Sequence, residues 1–263
     1  MKIIRMIALK FLKLTARDII INHHYTGKKL VLNSYYHKGY WYYGKKREET
    51  TMNQFKDIIK KGDFVLEIGG HIGYITTFFA SLVGEKGRVL VFEPGSNNLP
   101  YLKKNISYYN TSNIKIEEKG AGDHDGIETF FLDPLTGQNN SFVKDFDGFY
   151  INRQQSVERE SEYMDEKVEM MRLDSYFAGK SQLPNFVKID VEGFELNVIK
   201  GFLETIKKNR PEFMIEIQKD ESTIINLFKD LGYKIQNENS EEILNYEDYL
   251  LKMTPNIFFL NRN

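Results

Sequence analysis

From residue 51 onward, short β-prone runs alternate with amphipathic helical runs, and this alternation restricts the fold more than any other feature of the chain. FVLEIG (64–69), RVLVFEP (88–94), IKIEEKGAG (114–122), FVKID (186–190), EFMIEI (212–217), YKIQNE (233–238) and NIFFLNR (256–262) read as seven strands. Helical runs such as GYITTFFASLV, SNNLPYLKKNISYY, FELNVIKGFLETIKK and ESTIINLFKDLG stand between many of them. A helix, TMNQFKDIIKKG, precedes the first strand and is expected to stop at Gly62. Strands separated by helices build parallel βαβ units with both sheet faces covered. The expected fold is therefore α/β and Rossmann-like, a mostly parallel seven-stranded sheet with helices on both faces. In such sheets ligands bind beyond the carboxyl ends of the strands, at the topological switch point.

The regular pattern occupies residues 51–263 and is interrupted by an insertion at about 123–172. An insertion this long is expected to be functional or mobile. Residues 1–50 form an N-terminal extension of different character. Its first 17 residues carry Lys2, Arg5, Lys10, Lys13 and Arg17 and no acidic residue. On a helix, Ile4, Ile7, Ala8, Phe11 and Leu14 fall mostly on the opposite side. Such a helix suits either an anionic membrane surface or packing against the domain or a second subunit. Residues 25–50 are rich in Tyr, His and Lys around Trp41, a composition used for stacking on sugars or bases and equally for plain packing. The basic residues within 1–17 break its apolar stretches, so no signal peptide is expected there. A formal charge of −1 argues against a nucleic-acid coat. The absence of cysteine removes disulfides, thiolate metal sites and a cysteine nucleophile, and agrees with a cytoplasmic protein, at the inner face of the membrane if 1–17 bind there.

Four constellations fall where the fold would place a ligand. EIGGHIG (67–73) joins a strand to a helix; Gly69 and Gly70 permit a sharp turn and close ligand approach, and Gly73 lets the helix begin against it. The glycine spacing is not that of the dinucleotide fingerprint, which weakens a nicotinamide oxidoreductase reading. Glu93, at the end of the second strand, can accept hydrogen bonds from both ribose hydroxyls. After the third strand, the small residues Ala121 and Gly122 leave room for a flat ring, and Asp123 could accept from an adenine amino group. Lys188, Asp190 and Glu192 end the FVKID strand, where alternation would set all three on one face. A carboxylate there can orient an acceptor hydroxyl and take its proton, with Asp190 the first choice and Glu192 the second.

Together, KGDFVLEIGGHIGY, VFEP, KGAGDHDG, MRLDSYF and FVKIDVEGFELNVIKG followed by PEFMIEI resemble the FkbM family of S-adenosylmethionine-dependent methyltransferases, in family order over about 51–217. The resemblance implies a class I methyltransferase fold and O-methylation of a hydroxyl, often on a sugar. It assigns Glu67, Gly69, Gly73 and Glu93 to the cofactor. His71 departs from the asparagine usual in the family, which bears on how the methionyl end is held; Glu67 replaces the usual aspartate but keeps its charge. The expected function is methylation of a sugar, glycan or glycolipid hydroxyl. RNA ribose 2′-O-methylation and a catalytically inactive cofactor-binding module are the alternatives. Mg²⁺ held by Asp190 and Glu216 is a further option. The polar loop 138–141 is expected on the acceptor side.

Overall fold

A computed structural model describes residues 2–144, 146–158, 160–217 and 222–261, without the side chains of residues 2 and 3. The chain opens with helix α1 (Lys2–Leu14), hairpin strands β1 (Asp18–Asn22) and β2 (Lys29–Asn33), and helices α2 (Lys38–Tyr43) and α3 (Glu49–Ile58). β3 (Phe64–Ile68), α4 (Tyr74–Val83), β4 (Arg88–Phe92), α5 (Leu99–Tyr109) and β5 (Ile114–Glu117) follow. The middle of the chain holds β6 (Gly120–Ala121), β7 (Gly126–Leu132), α6 (Asp147–Gln155), β8 (Met164–Met171) and α7 (Leu173–Phe177). The last third runs β9 (Phe186–Ile189), α8 (Glu195–Lys200), α9 (Leu203–Asn209), β10 (Glu212–Glu216) and α10 (Ser222–Asp230). It ends with β11 (Lys234–Asn237), β12 (Glu242–Ile243), α11 (Tyr246–Leu251) and β13 (Asn256–Leu260).

The main sheet has the order β12-β11-β13-β10-β9-β3-β4-β5. β10, β9, β3, β4 and β5 run parallel, whereas β13 is antiparallel to both of its neighbours. The seven expected strands are all present. The eighth, β12, is a two-residue edge strand too short to leave a periodic signal. The chain steps from β3 outward to β5, then returns to lay β9 on the other side of β3, so the switch point lies between β3 and β9.

Burial follows the strand period. Val65, Phe186, Met214 and Phe258 pack on one sheet face with Phe55, Phe78 and Phe79 from α3 and α4. Leu66, Val187, Phe213 and Phe259 pack on the other with Phe202, Ile225 and Phe228. Every residue of β3, β9 and β13 is buried, as expected for strands covered on both faces.

Two local expectations need correction. α3 ends at Ile58, with Ile59 already extended, and Gly62 (φ +92) serves the turn into β3, its N–H bonded to the Val83 carbonyl at 2.8 Å. IKIEEKGAG is two strands rather than one, because β6 leaves the main sheet to pair with β8. Within the insertion, β7 and β8 pair and, with β6 just before it, make a second sheet; α6 spans part of the stretch between β7 and β8. Much of the aromatic-rich extension proves to be packing. His23 stacks on Tyr74 at 4.1 Å and bonds its carbonyl at 2.8 Å. Fully buried Asn105 ties β2 to the turn before α4, bonding the N–H and C=O of Val31 and the Ile72 carbonyl. Among the described residues no helix is long and apolar enough to cross a membrane.

Candidate cofactor and acceptor cleft

A cleft of about 540 Å³ opens over the carboxyl ends of β3, β4, β9 and β10. Its floor is the turn after β3. Gly69 sits at φ +88, and a Cβ there would lie 2.0 Å from the Asp190 carbonyl oxygen, so neither the backbone angle nor the space accepts a side chain. Gly73 caps α4 at φ +85 with Leu102 packed against it, which keeps the helix start close to the turn.

β3 and β9 bring the charged centre together. Glu67 and Lys188 are partners across these strands. The Lys188 ammonium, fully buried, donates to the Asp190 carboxylate at 3.0 Å and to the Gly69 carbonyl at 3.2 Å. Burial pushes Asp190 up, but the Lys188 ammonium beside it outweighs that and holds the carboxyl below its ordinary value. Burial would lower Lys188, yet Asp190 and Glu67 around it keep it raised. Strand alternation does not extend to Glu192: β9 ends at Ile189, and Glu192 reaches the cleft through a left-handed turn residue at φ +57.

Glu67 and Glu93 are the two buried carboxyls facing the cleft. Glu67 is 1% exposed, and its Oε2 has no hydrogen-bond partner. Burial pushes it up to about 7, against the pull of Lys188. Glu93 accepts from the backbone N–H of His71 (2.7 Å) and Gly95 (2.9 Å), and burial again carries it to about 7. A carboxyl raised in the folded state keeps a proton that the unfolded chain has lost, so its contribution falls as pH rises from about 4.5 to about 7. Glu67→Gln removes that penalty. Relative to the parent, its stability in urea unfolding is expected to be nearly unchanged at about pH 5 and roughly 3 kcal/mol higher at about pH 8. The buried His23, His37 and His71, held low, act in the opposite direction in both proteins and cancel in the difference.

His71 is absorbed by packing. Its Nε2–H donates to the Thr136 carbonyl at 3.2 Å, which leaves Nδ1 to accept from the Tyr40 hydroxyl at 3.1 Å; its ring stands edge-on to His37. Burial lowers its pKa to about 3. The residue that departs from the family pattern thus joins the glycine turn to the extension and to the insertion.

Ten residues singled out from the sequence line the cleft: Glu67, Gly69, Gly70, His71, Glu93, Ala121, Lys188, Asp190, Glu192 and Glu216. Gly73, Gly122 and Asp123 do not. Gly122 packs against Met170 and Phe194. Asp123 turns away to bond Asn197 and His124, each at 2.8 Å, because the chain leaves the sheet after β6. Gln138, Asn139 and Asn140 line the cleft, while Ser141 bonds the Glu192 carbonyl. Buried Asp133 holds this loop by accepting from Leu135, Thr136 and Asn139. Arg47, Glu48, Glu238 and Asn256 also line the cleft and carry no local sequence signal. Long-range bonds such as Asn256 and Thr51 to Glu238 place them. Among the described residues no group of three or more His, Cys, Asp or Glu side chains is placed to hold a metal, so the Mg²⁺ option gains no support.

A glycine turn, two acidic strand ends and a switch-point cleft give the α/β architecture of the methyltransferase class. The chain belongs to the methyltransferase FkbM domain family, whose model matches residues 67–235. It is 24% identical over 148 residues to Methyltransferase 1 of Beauveria bassiana (strain ARSEF 2860), covering 52% of this chain and 57% of that protein. Among solved structures it is similar to methyltransferase FkbM from Methylobacillus flagellatus KT, with 16% identity, TM-score 0.47, and coverage of 80% of this chain and 50% of that one. It is also similar to Aeropyrum pernix fibrillarin with natively bound S-adenosyl-L-methionine, with 10% identity, TM-score 0.46, and coverage of 92% and 81%. The chain thus spans a little over half the length of the fungal relative and half that of the Methylobacillus structure.

Proposed function

We propose that this protein is an S-adenosylmethionine-dependent methyltransferase acting on a hydroxyl of a sugar or glycan. The observation that carries the reading is the set of buried carboxyls around the glycine turn. The unpartnered Oε2 of Glu67 suits the ammonium of the methionyl end. Glu93 spends Oε2 on a single amide and keeps a lone pair for a ribose hydroxyl. Ala121 and Phe142 offer apolar wall for a flat ring. When bound, the cofactor supplies a methyl group on a sulfonium, a good leaving group.

The chain's own residues then have to align and deprotonate the acceptor. Asp190, kept ionised by Lys188, is suited to accept a hydrogen bond from the acceptor hydroxyl and orient it. A carboxylate held low is a weak base. Glu48, on the same cleft and pushed up by burial against the pull of Arg47, is the stronger base of the two and the better placed to take the proton. Eight acidic side chains and four basic ones line the cleft, a balance that favours a hydroxylated acceptor over a phosphate backbone. Incubation with methyl-labelled cofactor and separate glycan, glycolipid and RNA fractions tests the reading. Label in glycan or glycolipid is expected. Label confined to RNA would establish the ribose alternative, and cofactor binding without transfer would mark an inactive module.

A further inference from the structure

We infer that α1 is a docking surface for anionic lipid bilayers, independent of what the cleft binds. Ile4, Ile7, Phe11 and Leu14 are 63–86% exposed, and they make one stripe along the helix. The body of the protein takes the other side: Met6, Leu9 and Leu12 are half-buried, and Lys13 pairs with Glu158 at 2.7 Å. The apolar stripe that the sequence left open to two uses is therefore not spent on the domain. Four large apolar side chains in a row on a monomer surface mark an interaction site.

Charge selects the partner. The first 17 residues hold five basic side chains and no acidic one, so the other residues carry a net charge of −6. An anionic surface attracts this helix and repels the rest, which orients the protein as well as holding it. A second copy seated on the same stripe would bring two sets of five positive charges together. A bilayer has no such conflict: the apolar side chains enter the acyl boundary while Arg5 and Lys10, both exposed, extend their charged ends to lipid phosphates.

α1 is tied to the body through the Lys13–Glu158 ion pair, and the chain just after it is held at the hairpin. Arg17 and Ser34 exchange hydrogen bonds of 3.1 and 2.9 Å, and the Tyr35 hydroxyl lies 3.5 Å from Ser156 Oγ. Glu158 and Ser156 follow directly on α6, whose Asn152 borders the cleft. A bilayer-bound α1 would therefore bring the segment after α6, and with it the cleft side of the protein, towards the membrane.

Flotation of the full chain with phosphatidylcholine vesicles, with and without phosphatidylserine, tests this. Binding is expected only to the serine-containing vesicles, and it should weaken as salt rises. Ile7→Asp/Phe11→Asp should abolish it with no change in thermal unfolding, since both side chains are exposed. Lys10→Gln should weaken it about fivefold, the value of one basic residue near an anionic surface. Failure to float with the anionic vesicles would overturn the inference, as would undiminished binding by the double variant. So would a dimer that Phe11→Asp converts to monomer without any vesicle binding, because a second copy would then cover the stripe.

Discussion

Lys188→Met is expected to destabilise the protein by about 3–5 kcal/mol at neutral pH, the cost of removing one partner from a buried ion pair. Methionine nearly matches lysine in volume, so the loss is electrostatic. Lys188 is the buried cation between Asp190, 3.0 Å away, and Glu67, its partner across β3 and β9. Without it two carboxyls share the space with no compensating charge. The wild-type pair contributes most where Asp190 is ionised, and that contribution fades as pH falls through its lowered value. The stability gap between parent and variant should therefore be full near neutrality and narrow in acid. Urea unfolding across pH measures it. Adding Asp190→Asn to Lys188→Met should recover part of the loss, because no unpaired charge then remains beside Glu67. A gap that is small and flat with pH would mean that the pair does not hold the centre of the sheet.

Asp190→Asn alone should separate chemistry from binding. If Asp190 orients and polarises the acceptor hydroxyl, turnover should fall by ~10²–10⁴, the usual worth of a positioned acid–base group. Cofactor affinity should stay within a few-fold of the parent if, as proposed, Glu67 and Glu93 hold that end. Asparagine keeps the shape and can still meet Lys188 through its carbonyl oxygen, so the fold should survive. Near-normal turnover with intact cofactor binding would remove Asp190 from the mechanism and leave Glu48 or Glu192 as the group that meets the acceptor.

The main-chain plan was legible because the central strands β3, β9 and β13 are buried on both faces and so read as short, mainly apolar runs, as FVLEI and NIFFL do. The glycine turn was legible for a related reason: Gly69 occupies a space that admits no other residue. Legibility failed where a position is set by distant contacts. Alternation could not show that β9 stops at Ile189, because the left-handed Glu192 depends on the loop around Ser141 that meets it. Nor could it show that the chain leaves the main sheet at Gly120 and carries Asp123 outward to Asn197. Arg47 and Glu48 lie in a stretch of charged residues that reads as surface. They reach the cleft because α3 and the preceding turn pack over the end of the sheet, where Thr51 and Gln54 bond Glu238.

The measurement closest to the central claim is calorimetric titration of S-adenosylhomocysteine into the intact protein, with NAD as the control ligand. The cleft described above predicts micromolar binding of the former and none of the latter, with the signal lost in Glu93→Ala while circular dichroism shows the variant folded. Absence of binding by the folded parent protein, or binding indifferent to Glu93→Ala, would contradict the assignment of this cleft to the cofactor.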